Sequence, residues 1–423
     1  MRRALNRTGL LLVLLVTLVS PVLAGGDFTF KAGLGYEFIS QEFFLDSLAQ
    51  SGVDSLATIT SLKTTYLDDI RGQLSFLYTS PGDRRLELGT TLEQTPDIFR
   101  LRFTSGFRPE LGKLKIDWAG ELDWRRAVGD SVAEGDSYVL GYGKARFMLP
   151  ISGSTSLWWQ LRSEIIRFDS VGDYSYDHNR FGGKLGLAWS MADLSSFAVD
   201  YFIGGRDVPD SSQLDYLDYG VEASYFGFKS RSTLDLYGRL EKKDYRRPAG
   251  QDDYIRVEVT GRHKVTVNDR IFLRHQLDVE ALYFDQPDFV NRSYGRSRLV
   301  LQGGIQGAEL SAAVGPHLEL LSEARDELTA GEDYFEGGVR GNLDFFRSNL
   351  FGLLESTVGH RNIYSAAEFQ SDFVFHRLNL VFDWRFWQVV SLNAMVSGEW
   401  EWHDDSQENS QLYLLSSWLT CRF

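Results

Sequence analysis

The chain has 423 residues, 43% of them hydrophobic and 24% charged, with 44 basic against 58 acidic side chains and a formal net charge of −14. That acidity argues against nucleic acid as a partner. Past residue 24 there is no apolar run of the ~20 residues that a spanning helix needs, and the single cysteine, Cys421, excludes an internal disulfide or a cysteine-built metal site.

The N-terminus carries Arg2, Arg3 and Arg7, then an apolar core from Leu10 to Val19 and a small-residue site at Val22-Leu23-Ala24. This layout is that of a cleaved secretory signal peptide, residues 1–24. No cysteine follows the cut, so the leader does not read as a lipoprotein leader. Residues 25–423 read as one domain. Its first strand sets Phe28, Phe30, Ala32, Leu34, Tyr36 and Phe38 on one face. Ile70, Gly72, Leu74, Phe76 and Tyr78 repeat the pattern. Between them Glu42–Thr65 is the longest connection, and Leu45, Leu48, Leu56 and Ile59 fit a short amphipathic helix. Two readings of it stand open: a constriction folded inward, or an outward extension of the flanking strands. Since strands begin at Asp27, a separate plug domain is not expected.

Next, Phe99, Leu101, Phe103 and Phe107 oppose Arg100, Arg102, Thr104 and Arg108. In the segment 113–125, Leu114, Ile116, Trp118, Gly120, Leu122 and Trp124 alternate with Lys115, Asp117, Glu121, Asp123 and Arg125. Strict alternation with charge on one side describes a sheet with one apolar and one wet face. The same period returns at 255–265 and at 391–402. Tight turns are expected near Gly82, Glu110, Ser152, Ala192, Lys229, Asn268, Gly307, Ser348 and Trp387, with longer polar loops between them. From Glu110 on they recur about every 40 residues, one hairpin plus its loop. The expectation is an all-β fold, a transmembrane antiparallel up-and-down β-barrel of about 20 strands, with 18–22 allowed. Trp158, Trp159, Trp189, Trp384 and Trp387 fall near tight turns, and Trp124, Trp400 and Trp402 near the opposite ends, as two interfacial girdles would require. Trp118 falls mid-strand and does not fit.

The chain ends QLYLLSSWLTCRF. It resembles the terminal sorting strand of bacterial outer-membrane β-barrels: Phe423 is the terminal aromatic, Tyr413, Leu415, Leu419 and Cys421 hold the alternate apolar positions, and Ser417 is a poor match. The resemblance implies the bacterial outer membrane, both termini in the periplasm, outer-membrane lipid around the wall, and the barrel-assembly machinery as a partner. It names no particular porin family.

About 20 strands enclose a lumen wider than side chains alone fill. The lumen candidates are Glu93, Arg100, Arg102, Asp117 and Glu121. A turn at Thr95–Asp97 sets Glu93 beside Arg100, and a turn at Pro109–Gly112 sets Arg100 opposite Glu121 and Thr104 opposite Asp117. Such a cluster either orients dipolar solutes or merely pairs strands. The histidines lie on separate strands or loops and assemble into nothing, so neither a catalytic nor a metal site is expected, and no cofactor. His178, in the acidic loop DYSYDHN, reads as solvated. The leading expectation is a porin-like passive channel for ions or small polar solutes, not an enzyme. An export-system barrel, for example for polysaccharide with a separate envelope partner, and a closed structural or surface barrel are the alternatives. A homo-oligomer stays open.

Overall fold

In the computed structural model the described residues are 27–47, 58–80, 85–128, 137–169, 176–191, 194–209, 211–246, 253–285, 292–323, 333–364, 371–404 and 409–422. The leader and Phe423 lie outside them. Twenty antiparallel strands form one closed sheet. The first five are β1 (Asp27–Ser47), β2 (Thr58–Thr79), β3 (Arg85–Gln94), β4 (Ile98–Arg108) and β5 (Leu114–Ala127). Then come β6 (Tyr138–Pro150), β7 (Thr155–Phe168), β8 (His178–Ser190), β9 (Ser196–Asp207) and β10 (Tyr216–Lys229). The third group is β11 (Ser232–Tyr245), β12 (Tyr254–Thr266), β13 (Ile271–Phe284), β14 (Tyr294–Gln306) and β15 (Leu310–Glu323). The last are β16 (Tyr334–Arg347), β17 (Leu350–Ile363), β18 (Phe373–Arg385), β19 (Val390–His403) and β20 (Ser410–Arg422). The fragment Glu110–Leu111 continues β4 beyond Pro109. Each strand pairs with its sequence neighbours, and β20 closes on β1 from Lys31↔Arg422 to Phe43↔Ser410. Short connections join β2 to β3, β4 to β5 and so on to β18–β19, at the nine expected places. Gly82 and Ala192 themselves lie outside the described residues, but the strands flanking them pair at Thr79↔Glu87 and Ser190↔Ser196.

Burial is inverted relative to a water-soluble fold. On β5, Leu122 is 49% exposed while the adjacent Asp123 is 1% exposed. Across the sheet Leu, Val and Ile stand on the outer face, whereas Glu222, Glu241, Glu319 and Glu336 are buried on the inner one. An apolar exterior is stable only where lipid replaces water. Most strands have 13 or 14 residues. At about 3.3 Å per residue and a tilt near 40° they rise roughly 33 Å, enough to cross an apolar band of about 25 Å. Twenty such strands, about 4.8 Å apart, close a backbone circle roughly 40 Å across.

The loop end is locked by a repeated clasp. The residue before a returning strand accepts, through its side chain, the backbone N–H that ends the preceding strand. Asp253 takes Tyr245 N–H at 2.6 Å, Asp333 takes Glu323 N–H at 2.7 Å and Asp372 takes Ile363 N–H at 2.8 Å. Asp177 and Asp215 act likewise, and Ser137, Ser293 and Asn409 do so with neutral oxygens. An inward aromatic ring often follows: Tyr216 packs on Tyr245 and Tyr254 on Phe284, with centroids 5.8 and 5.6 Å apart.

Two sequence expectations need correction or completion, and one irregularity of the ladder is new. Residues Glu42–Ser47 and Thr58–Thr65 are paired strand, up to Ser47↔Thr58, rather than parts of a helix folded inward. Leu48–Ala57 lies outside the described residues. Trp158 belongs to no girdle: it faces the lumen, 7% exposed, with the Arg146 guanidinium 4.5 Å from its ring. Trp159 and Trp189 do face outward and stack on Phe147 and Phe197 at 5.1 and 5.5 Å. Finally, the β14–β15 ladder is interrupted between Val300↔His317 and Gly303↔Val314. Pro316 sits in that gap, where it has no N–H to give.

Candidate functional site

The site is the inner wall itself, where alternation has sent the charged residues. At the β1–β5 side, Glu93 pairs with Arg100 in the ladder as expected, but its ion pair is to Arg71, 3.3 Å away, which also holds Glu37 at 2.8 Å. Arg100 does not face Glu121. Its ladder partner is Arg125, and Thr104 takes Glu121. The physical reason is Pro109. It does not start the turn; its carbonyl accepts from Ile116 N–H at 3.1 Å, and the chain reverses at Gly112, whose φ of 63° is left-handed. Arg100 therefore reaches Asp123, with Nε 2.9 and 3.0 Å from its two oxygens. Arg102 pairs with Glu121 at 3.0 Å. Asp117 is drawn off to Arg108 at 3.3 Å, where both side chains are more than half exposed. The cluster exists, but its centre is Asp123 rather than Glu121.

Further round the wall the network is denser. Glu222 takes Arg239 at 3.0 Å as well as Lys184, and Arg239 also reaches Glu241 at 2.6 Å. Phe202, 4% exposed, lies 4.6 Å beneath that guanidinium. One ladder row then links Glu222, Arg239, Glu258, Glu280 and Arg296 across β10 to β14. On β15–β18, Glu336 is fully buried and receives Arg361 at 2.6 Å and Arg377 at 3.0 Å. Glu319 is held by Arg296 at 2.7 Å and by the Tyr334 hydroxyl at 2.7 Å. His317 sits between these acids, 3.4 Å from Glu336 and 3.7 Å from Glu319.

His317, Glu319 and Glu336 bring ligand-type atoms within 4.8 Å of one another. Three arginines already neutralise this neighbourhood, so a divalent cation would meet their repulsion. The group fits a closed ion-pair lattice better than a metal cradle. Histidines do assemble elsewhere, contrary to the sequence expectation. On the outward face Ser232 Oγ lies 2.9 Å from His263 Nε2, and His263 Nδ1 lies 3.3 Å from His275 Nδ1. Ser356 and His376 form a second pair at 3.0 Å. Strand alternation hid both, because the partners lie on adjacent strands. Ser232 is engaged in the ladder with Lys229 and Val265, a poor setting for the free N–H donors that acyl transfer requires.

Asp123, Glu222, Arg239, Glu336 and Arg377 carry the wall and were not singled out from the sequence. Each occupies an inward position of an alternating strand. Their partners follow only from the inter-strand register.

No family model and no curated protein sequence matches the chain. Solved structures do. The siderophore receptor PirA from Pseudomonas aeruginosa aligns with a TM-score of 0.53 and 10% identity, over 93% of this chain and 80% of that one. The alcaligin outer membrane receptor FauA from Bordetella pertussis aligns at 0.51 and 10%, over 93% and 76%. OccK1 (OpdK) from Pseudomonas aeruginosa aligns at 0.49 and 12%, over 94% and 98%. With PirA and FauA, the similarity is one of fold. The chain is an outer-membrane-type β-barrel.

Proposed function

We propose that this barrel is a water-filled channel of the bacterial outer membrane that passes small polar solutes by diffusion. The observation that carries the reading is the inverted wall: apolar outside, and inside a charged lattice around a circle too wide for side chains to fill. Facing charges of opposite sign produce a transverse field, which favours dipolar solutes over apolar ones. The tight turns and both strand termini lie on the periplasmic side, β20 is the segment read by the assembly machinery, and the protein is a conduit rather than an enzyme.

The test is single-channel recording of the mature protein, refolded in detergent and inserted into a planar bilayer. Stepwise conductance is expected from protein whose gel mobility is heat-modifiable. Folded protein that never conducts would overturn the reading and favour a closed surface barrel or an export component that needs its partner to open.

A further inference from the structure

Over much of the lumen wall a cation meets a carboxylate. Where two acids stand directly opposite, as Glu258 and Glu280 do, Arg256 bridges them at 3.7 and 2.7 Å. The same hairpin, β12–β13, contains the reverse arrangement without a bridge. Lys264 stands directly opposite Arg274, and Arg262 is the next inward residue on β12. Like charges so placed repel and weaken a hairpin. Among the described residues none of the three cations forms an ion pair. Lys264 donates to Gln306 Oε1 at 2.9 Å and lies 4.4 Å over the Phe272 ring; Arg274 lies 5.6 Å from the same ring. Phe272 is fully buried. It forms an apolar floor that raises the local field of the cations above it. Two acids stand near. Asp235 faces Arg262 in the ladder, and Asp344 acts on Lys264 at longer range.

We infer that Arg262, Lys264 and Arg274 form a binding site for a multivalent oxyanion, such as a phosphate-bearing solute, which takes the bridging place that Arg256 holds between the acids. Two guanidinium groups offer paired donors to such an anion, and the ammonium adds a point charge. The site lies near the tight-turn end, since Lys264 is two residues from the end of β12. A chain with net charge −14 therefore keeps an anion station on its inner wall. As a step in transport the site rests on the channel reading; as a binding site it does not.

Inorganic pyrophosphate is the probe, titrated calorimetrically into the refolded wild type and into K264Q/R274Q. Saturable, salt-sensitive binding to the wild type is expected, weakened by about tenfold or more in the double variant. K115Q, at the same end of the barrel, should bind as the wild type does. The double variant should keep its heat-modifiable mobility, with an unchanged or higher denaturation midpoint, because it relieves a repulsion; a purely structural pair would lose stability instead. Should it fail to fold, R274Q alone serves. Equal binding by wild type and variant, or no saturable binding by the wild type, overturns the site. Bilayer recording separates the two proposals. Conductance without pyrophosphate binding keeps the channel and removes the site. Binding without conductance keeps the site and removes the channel.

Discussion

Replacing Glu336 by Gln removes one carboxylate from the most enclosed part of the wall. Glu336 is 0% exposed and receives Arg361 through two contacts, at 2.6 and 3.1 Å, and Arg377 at 3.0 Å. Breaking a buried pair by removing one partner costs about 3–5 kcal/mol, because the other charge is left without compensation. Here the two arginines are 19% and 30% exposed toward the lumen, so water recovers part of that loss and about 2–4 kcal/mol is expected. D117N is the matched control. The Arg108–Asp117 pair has nearly the same separation, 3.3 Å, but its side chains are 54% and 57% exposed. Its loss should change stability by no more than about 0.5 kcal/mol. Equilibrium unfolding of refolded protein in urea, followed by tryptophan emission, measures both. An E336Q barrel within about 1 kcal/mol of wild type, or a D117N barrel equally damaged, would refute the claim that burial rather than contact distance sets the strength of this lattice.

D253A removes the acceptor of Tyr245 N–H and should cost about 1 kcal/mol, with faster proteolytic cutting of the adjacent loop. G315A drives a Cβ into the Leu301 carbonyl oxygen, a backbone atom that cannot swing aside, so the variant should lose its heat-modifiable band on gels. Brominated lipids should quench a protein whose only tryptophan is Trp189, which faces outward, and should leave one retaining only Trp158 nearly unquenched. Equal quenching would contradict the inward placement of Trp158.

The strand count and the places of the tight turns were legible because a period of two survives in most strands and short polar turns punctuate it. What failed was register. Pro109 reads as a turn former, yet here it lies in the strand path and Gly112 makes the reversal, which moves Arg100 from Glu121 to Asp123. The alternation put Trp158 beside a turn but did not say which way it pointed; counting from Leu157 and Trp159 on the outer face would have. His263 and His275 are twelve residues apart and meet only once their hairpin is closed. The lattice around Glu336 involves four strands, so no window of sequence contains it. The clasp, in contrast, was present in plain form as Asp253-Tyr254, Asp333-Tyr334 and Asp372-Phe373, but its meaning depends on knowing where strands end.

Among the described residues that clasp makes eight of the hairpins self-sufficient at the rim. Its donor and acceptor flank a loop and ask nothing of the loop's own residues. A foreign peptide spliced between Arg246 and Asp253 leaves the Tyr245–Asp253 bond available, so the surface of this barrel is open to grafting while its wall stays as it is. The same independence gives duplication an easy route: copying one unit of two strands and a clasp adds circumference without rewriting any neighbour, and it keeps the strand number even.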